Sequence, residues 1–184
     1  YVERARARLA CEDYKNAEPE MADALERFPD NGNIKHEAAR LLFKMGETGE
    51  GLKYAIAAAE DAPRDYHRLV TLGVHYLMLD QPEKAYEQFK KARELAPESH
   101  VGLDWNLSLA SLALGDLETG WRLHPARFED VASQVICRSF DVPAWEGEDI
   151  SDKTVLVWTD QGLGDALRSG TMLPELIARA RALI

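Results

Sequence analysis

The chain reads as mainly α: a superhelical solenoid of helix hairpins with a short C-terminal β-α piece. Three observations predict it. Pro29, Pro63 and Pro97 stand 34 and again 34 residues apart, each closing a helical segment, and a fixed period of that size marks a stacked repeat. Within a period, small and large apolar residues recur at helical spacing on both sides of a break. Beyond about residue 130 the helical period stops, and Thr154 to Thr159 is an unbroken β-branched and apolar run followed by a glycine turn. Such a run suits a strand buried on both faces of a parallel sheet.

The best copy is Tyr66 to Ser99. Leu69, Leu72, Gly73 and Tyr76 recur at helical spacing, a break follows at Leu79-Asp80-Gln81-Pro82, and Ala85, Phe89 and Ala92 mark a second helix ending before Pro97. Pro82 suits the first turn of that helix, where a missing N–H costs nothing. Gly73, Ala85 and Ala92 let the two helices approach closely, and Tyr76 and Phe89 fill the gaps around them. This order of small and large positions resembles the tetratricopeptide repeat.

In the first copy only the second helix is clear, with Ala17, Met21 and Ala24 where Ala85, Phe89 and Ala92 stand in the best copy. The preceding segment is helical in composition but matches the marker positions poorly. A second copy runs from about Gly32 to Asp65, with Gly46 at its turn and Gly51, Ala55 and Ala58 in its second helix. The fourth begins near Val101 after a one-residue slip and turns at Gly115-Asp116. Its second helix departs from the pattern at Gly120 and Trp121. The solenoid therefore covers residues 1–130.

Hairpins of this kind cannot bury their apolar faces alone, and the resemblance implies a right-handed superhelix whose first helices line a concave groove. Projecting the family's groove positions onto this chain gives Asn33, His36, Arg40, Phe43 and Lys44, then His67, Val70, Val74, Leu77 and Met78, then Trp105, Leu109 and Leu112. The groove then runs from polar and basic to apolar. Two roles fit these residues: holding a peptide, a protein or the chain's own C-terminal segment, or packing neighbouring first helices together. The family's two-carboxylate clamp needs paired Lys and Asn positions, and Asn106 alone is suggestive, which argues against chaperone-tail binding.

Composition narrows the classes. With 32 acidic and 22 basic residues the formal net charge is −10, which argues against a nucleic-acid or anionic-membrane surface. No run approaches the roughly 18 apolar residues of a membrane span. Cys11 and Cys137 form no CxxC pattern and read as reduced thiols in a cytoplasmic protein. The histidines show no metal-ligand spacing, and no nucleophile elbow occurs. The chain opens inside a helical pattern without an initiator Met and reads as a piece of a longer protein.

Residues 131–153 have no helical period and carry Pro143 and Gly147; they read as a linker anchored by Trp145. In residues 154–184, the strand leads into the turn Gln161-Gly162-Leu163-Gly164-Asp165, and Ala166 to about Leu183 reads as one helix. The turn is neither GxGxxG nor a P-loop. A lone strand must pair with the linker, pair across a dimer, or stay poorly ordered.

The run PAWEGEDISDKTVLVWTDQGLGDALRSGTMLPEL resembles the junction in bacterial proteins that fuse tetratricopeptide repeats to a GT-B, heptosyltransferase-like glycosyltransferase domain. That resemblance implies the start of a Rossmann-like domain. It makes Asp165 a candidate general base for an acceptor hydroxyl, with Gly162 and Gly164 admitting the acceptor. Helix capping accounts for Asp165 equally well. A GT-B site needs two Rossmann-like domains, so no complete transferase site and no cofactor is expected in this chain; a nucleotide-sugar belongs to a longer parent. The expected function is a non-catalytic scaffold for protein interaction or self-assembly, with the N-terminal part of a repeat-linked transferase as the alternative.

Overall fold

The computed structural model describes residues 1–97, 100–129, 138, 140–159 and 162–184, without the side chain of Asp165. Two units result, Tyr1–Glu129 and Asp130–Ile184.

The first unit is a series of four helix hairpins: α1 (Val2–Ala10) with α2 (Tyr14–Arg27), α3 (Gly32–Lys44) with α4 (Thr48–Asp61), α5 (Tyr66–Met78) with α6 (Pro82–Leu95), and α7 (Val101–Ala113) with α8 (Leu117–Leu123). The segment that matched the repeat poorly therefore does form a first helix. Each hairpin turns through one residue of positive φ: Glu12 at 55°, Gly46 at 86°, Asp80 at 54° and Gly115 at 80°. These four stand 34, 34 and 35 residues apart, so the left-handed position recurs with the repeat while only two of its occupants are glycine. Helices α3, α5 and α8 each start from an Asn or Asp side-chain cap. Asn31 accepts from the Asn33 and Ile34 amides, Asp65 from His67, and Asp116 from Thr119, each cap contributing about 1 kcal/mol.

Close approach within and between the hairpins is set by small residues facing large ones. A Cβ at Gly73 would come within 2.4 Å of Phe89 Cε1, and one at Gly51 would sit 2.6 Å from His75 Nε2. Phe89, Ala85 and Ala92 are fully buried and join Leu69, Leu72, Leu103, Leu107 and Ala110 in one cluster. Met21, Ala17 and Ala24 join Ile34, Ala38 and Leu41 in a second, and Tyr54 packs on both. The departure in the fourth repeat has a steric cause. A Cβ at Gly120 would come within 2.6 Å of Leu112 Cδ2, and Ser108 Oγ donates to the Gly120 carbonyl at 3.0 Å. The chain then leaves α8 through a 3-10 turn, His124–Phe128, with Pro125 in its first turn.

In the second unit, β1 (Thr154–Val155) pairs in parallel with β2 (Ala182–Leu183), with α9 (Leu163–Gly170) and α10 (Leu173–Arg179) between them. This differs from the single long helix expected there. Pro174 sits in the first turn of α10, where it starts a helix and cannot continue one, and the last residues extend into a strand. β1 thus pairs with a partner the helical reading had hidden, and Val157 N donates to Ile184 O at 2.9 Å beyond the paired residues. Only two residues of the Thr154 to Thr159 run are strand. Among the described linker residues Ile150 is the buried side chain at 2% exposure, whereas the expected anchor Trp145 is 41% exposed, its Nε1 donating to Glu148 O at 2.9 Å.

The turn geometry predicts opposite effects at equivalent positions. Glu12→Gly should raise stability by up to about 1 kcal/mol, and Gly46→Val should lower it by about 1–2 kcal/mol. Urea unfolding followed by circular dichroism checks both; a stabilising Gly46→Val would contradict the left-handed turn.

Candidate functional site

The first helices α1, α3 and α5 line an open cavity of about 300 Å³. Its apolar lining is Leu9 from α1, Phe43 from α3, and Val70 and Val74 from α5; Arg6, Arg40 and Lys44 supply three cations. Five residues named from the sequence therefore come together here: Arg40, Phe43, Lys44, Val70 and Val74. Arg6, Leu9, Ala10, Thr71 and His75 were missed. A signal for three of these existed, since Arg6, Leu9 and Ala10 lie 34 residues before Arg40, Phe43 and Lys44.

Charge behind the cavity is arranged around Glu37, which has no solvent exposure. Its carboxylate accepts from Arg6 Nε at 2.7 Å and from Arg40 Nη1 at 2.8 Å, so one buried anion ties α1 to α3 and fixes two guanidinium stems. The hydrogen bond to Glu37, reinforced by its charge, pushes the Arg6 pKa further up. A guanidinium has five donors, and both arginines are about half exposed, leaving donors free to face the groove.

Other expected groove residues lie outside the cavity. Asn33 Oδ1 accepts from Arg68 Nη2 at 2.8 Å. Arg68, buried, also donates to the Ala58 carbonyl at 2.9 Å and to Asp61 at 2.6 Å, fastening α5 to the end of α4 and the start of α3. His36 is 9% exposed, and burial pushes its pKa down to about 4. His67 is exposed, its ring 4.0 Å from that of Tyr66. Leu77 and Leu109 are half-buried, and Met78 is 62% exposed. Trp105 packs its ring 5.2 Å from His124. None of these seven lines the cavity. His75 is buried, its Nδ1 donating to Thr71 O at 2.8 Å and its ring 5.7 Å from Phe43; burial lowers its pKa against the pull of the Thr71 and Ala39 carbonyls.

In the second unit Gly162 caps α9 and Gly164 stands in its first turn; a Cβ at either would meet nothing within 4 Å. Neither glycine is required by close packing. The Asp165 side chain and Cys137 lie outside the described residues. Among the described residues no group of three His, Cys, Asp or Glu could hold a metal ion, and no helix is long and apolar enough to cross a membrane.

Burial of neutral His36 makes stability depend on pH. Its folded pKa of about 4 lies below the unfolded value near 6.5, so its contribution is complete above about pH 6.5 and is lost as pH falls toward 4. Urea unfolding should give a stability about 2 kcal/mol lower at pH 5 than at pH 7, and His36→Leu should reduce that difference. An unchanged pH dependence in the variant would contradict it.

The sequence model of the tetratricopeptide repeat family matches residues 8–73. Protein FlbA of Caulobacter vibrioides is 31% identical over 84 residues, 45% of this chain and 14% of FlbA, so the chain matches a small part of that relative. Among solved structures, MamA (residues 41 to the end) from Desulfovibrio magneticus superposes with a TM-score of 0.61 at 22% identity, covering 67% of this chain and 70% of that one. A tetratricopeptide repeat protein from Parabacteroides merdae superposes at 0.58 with 20% identity, covering 66% and 47%. At these identities the likeness is one of fold. Period, hairpin geometry and the match over residues 8–73 agree: the N-terminal unit has the fold of a tetratricopeptide repeat solenoid.

Proposed function

We propose that this chain is a scaffold for protein–protein interaction, holding a segment of another protein along its concave face, with no chemistry of its own. The observation that carries the reading is the cavity between α1, α3 and α5, where half-buried Phe43, Val70 and Val74 meet no covering element among the described residues. Apolar side chains left open in a groove are the usual anchor points for a bound segment. Selection from a random peptide display library on the immobilised chain tests it. Enriched peptides should lose at least about tenfold in affinity to Val74→Glu, with helicity unchanged; binders indifferent to that substitution, or none, would contradict it.

A second reading makes the C-terminal unit the start of a Rossmann-like, glycosyltransferase-type domain of a longer protein that takes a nucleotide-sugar. Parallel pairing of β1 and β2 across α9 and α10 supports it, since that strand–helix–strand order is the building block of such domains. Sugar transfer by a polypeptide carrying this segment should then fall by about 100-fold or more in Asp165→Ala. An undiminished rate would contradict the base role of Asp165.

A further inference from the structure

We infer that the segment held between α1, α3 and α5 is acidic, and that it inserts one large aliphatic or aromatic side chain between flanking carboxylates. The inference rests on the concave-face reading and adds the chemistry of the partner.

Charge complementarity carries it. Arg6, Arg40 and Lys44 line the same cavity, a cationic island on a chain of net charge −10. The carboxylates that face them are few. Glu37 is fully buried, with its two oxygens taken by Arg6 Nε and Arg40 Nη1; it fixes the stems without covering the outward donors. Glu3, on the exposed side of α1, reaches Arg6 Nη1 at 3.1 Å. Lys44 makes no ion pair among the described residues and is exposed. A basic segment would meet like charge at this mouth, whereas a carboxylate would find guanidinium donors already oriented.

The apolar part of the ligand follows from the lining. Leu9, Phe43, Val70 and Val74 bound a volume of about 300 Å³, at the lower end of what specific pockets use and enough for one large side chain. The cavity lies toward the C-terminal ends of α1 and α3, since Ala10 and Lys44 are their last residues. Backbone N–H groups that would cradle a phosphate are at the opposite ends of those helices. An anion here is therefore held by the long cationic side chains and not by backbone N–H groups.

Fluorescence anisotropy with a labelled Asp-Glu-Leu-Phe-Glu-Asp peptide tests the inference, beside versions carrying Lys at the four acidic positions or Ala-Ala at the centre. The acidic apolar peptide should bind at least about tenfold tighter than either control and weaken as ionic strength rises. Lys44→Glu, an exposed change that leaves the Glu37 pairs intact, should weaken it about tenfold or more, and Lys15→Glu on α2 should leave it unchanged. Equal or tighter binding of the Lys version, no binding of the acidic one, or indifference to Lys44→Glu would overturn the inference. If display selection returns groove-dependent peptides without acidic flanks, the partner chemistry falls and the scaffold stands; if it returns none, both fall.

Discussion

Rings seated where a Cβ would otherwise be are the constraint on which the solenoid depends. Phe89 occupies the space over Gly73, and His75 the space beside Gly51. An Ala in either glycine position would push its pair of helices apart and open gaps in an interior that tolerates few. Because each hairpin exposes an apolar face that only its neighbour can cover, the spacing set at those contacts is passed along the stack. The distance between α3 and α5, and with it the width of the groove, follows from these buried contacts, one of whose rings, His75, also lines the cavity.

Polar groups then fix the register that apolar packing leaves loose. Arg68 joins three helices through hydrogen bonds to Asn33, Ala58 and Asp61, and a Cβ on Gly32 would collide with that arrangement, 2.6 Å from Arg68 Nη1. Glu37 does the same between α1 and α3 through Arg6 and Arg40. A fully buried carboxylate is costly to desolvate unless its oxygens are satisfied; here its two partners also furnish cations beside the cavity. The structural role and the binding role proposed above therefore fall on the same guanidinium groups.

Much of this could be read from the sequence. The prolines at 29, 63 and 97 and the Gly-Ala-Phe-Ala positions of the third hairpin located the repeats, and Arg40, Phe43, Lys44, Val70 and Val74 were placed on one face. What escaped has physical causes. Position in a repeat says which side of a helix faces the groove, but not whether a side chain there has a nearer partner: Asn33 is drawn to Arg68, and His36 is buried by its neighbours. The first helix was obscured because Arg4 and Arg8 stand at two of its four marker positions, so Arg6 and Leu9 were overlooked although the period reaches them. β2 was missed because Ala182, Leu183 and Ile184 continue a helical pattern by composition, and their strand form depends on pairing with β1, a contact distant in sequence.

Hydrogen exchange of the chain, alone and with a groove-selected peptide bound, would test a concave-face function most directly. Added protection should appear in α1, α3 and α5, with α2, α4 and α6 unchanged. Protection concentrated on those outer helices, or on α9 and α10, would place the working surface elsewhere and contradict it.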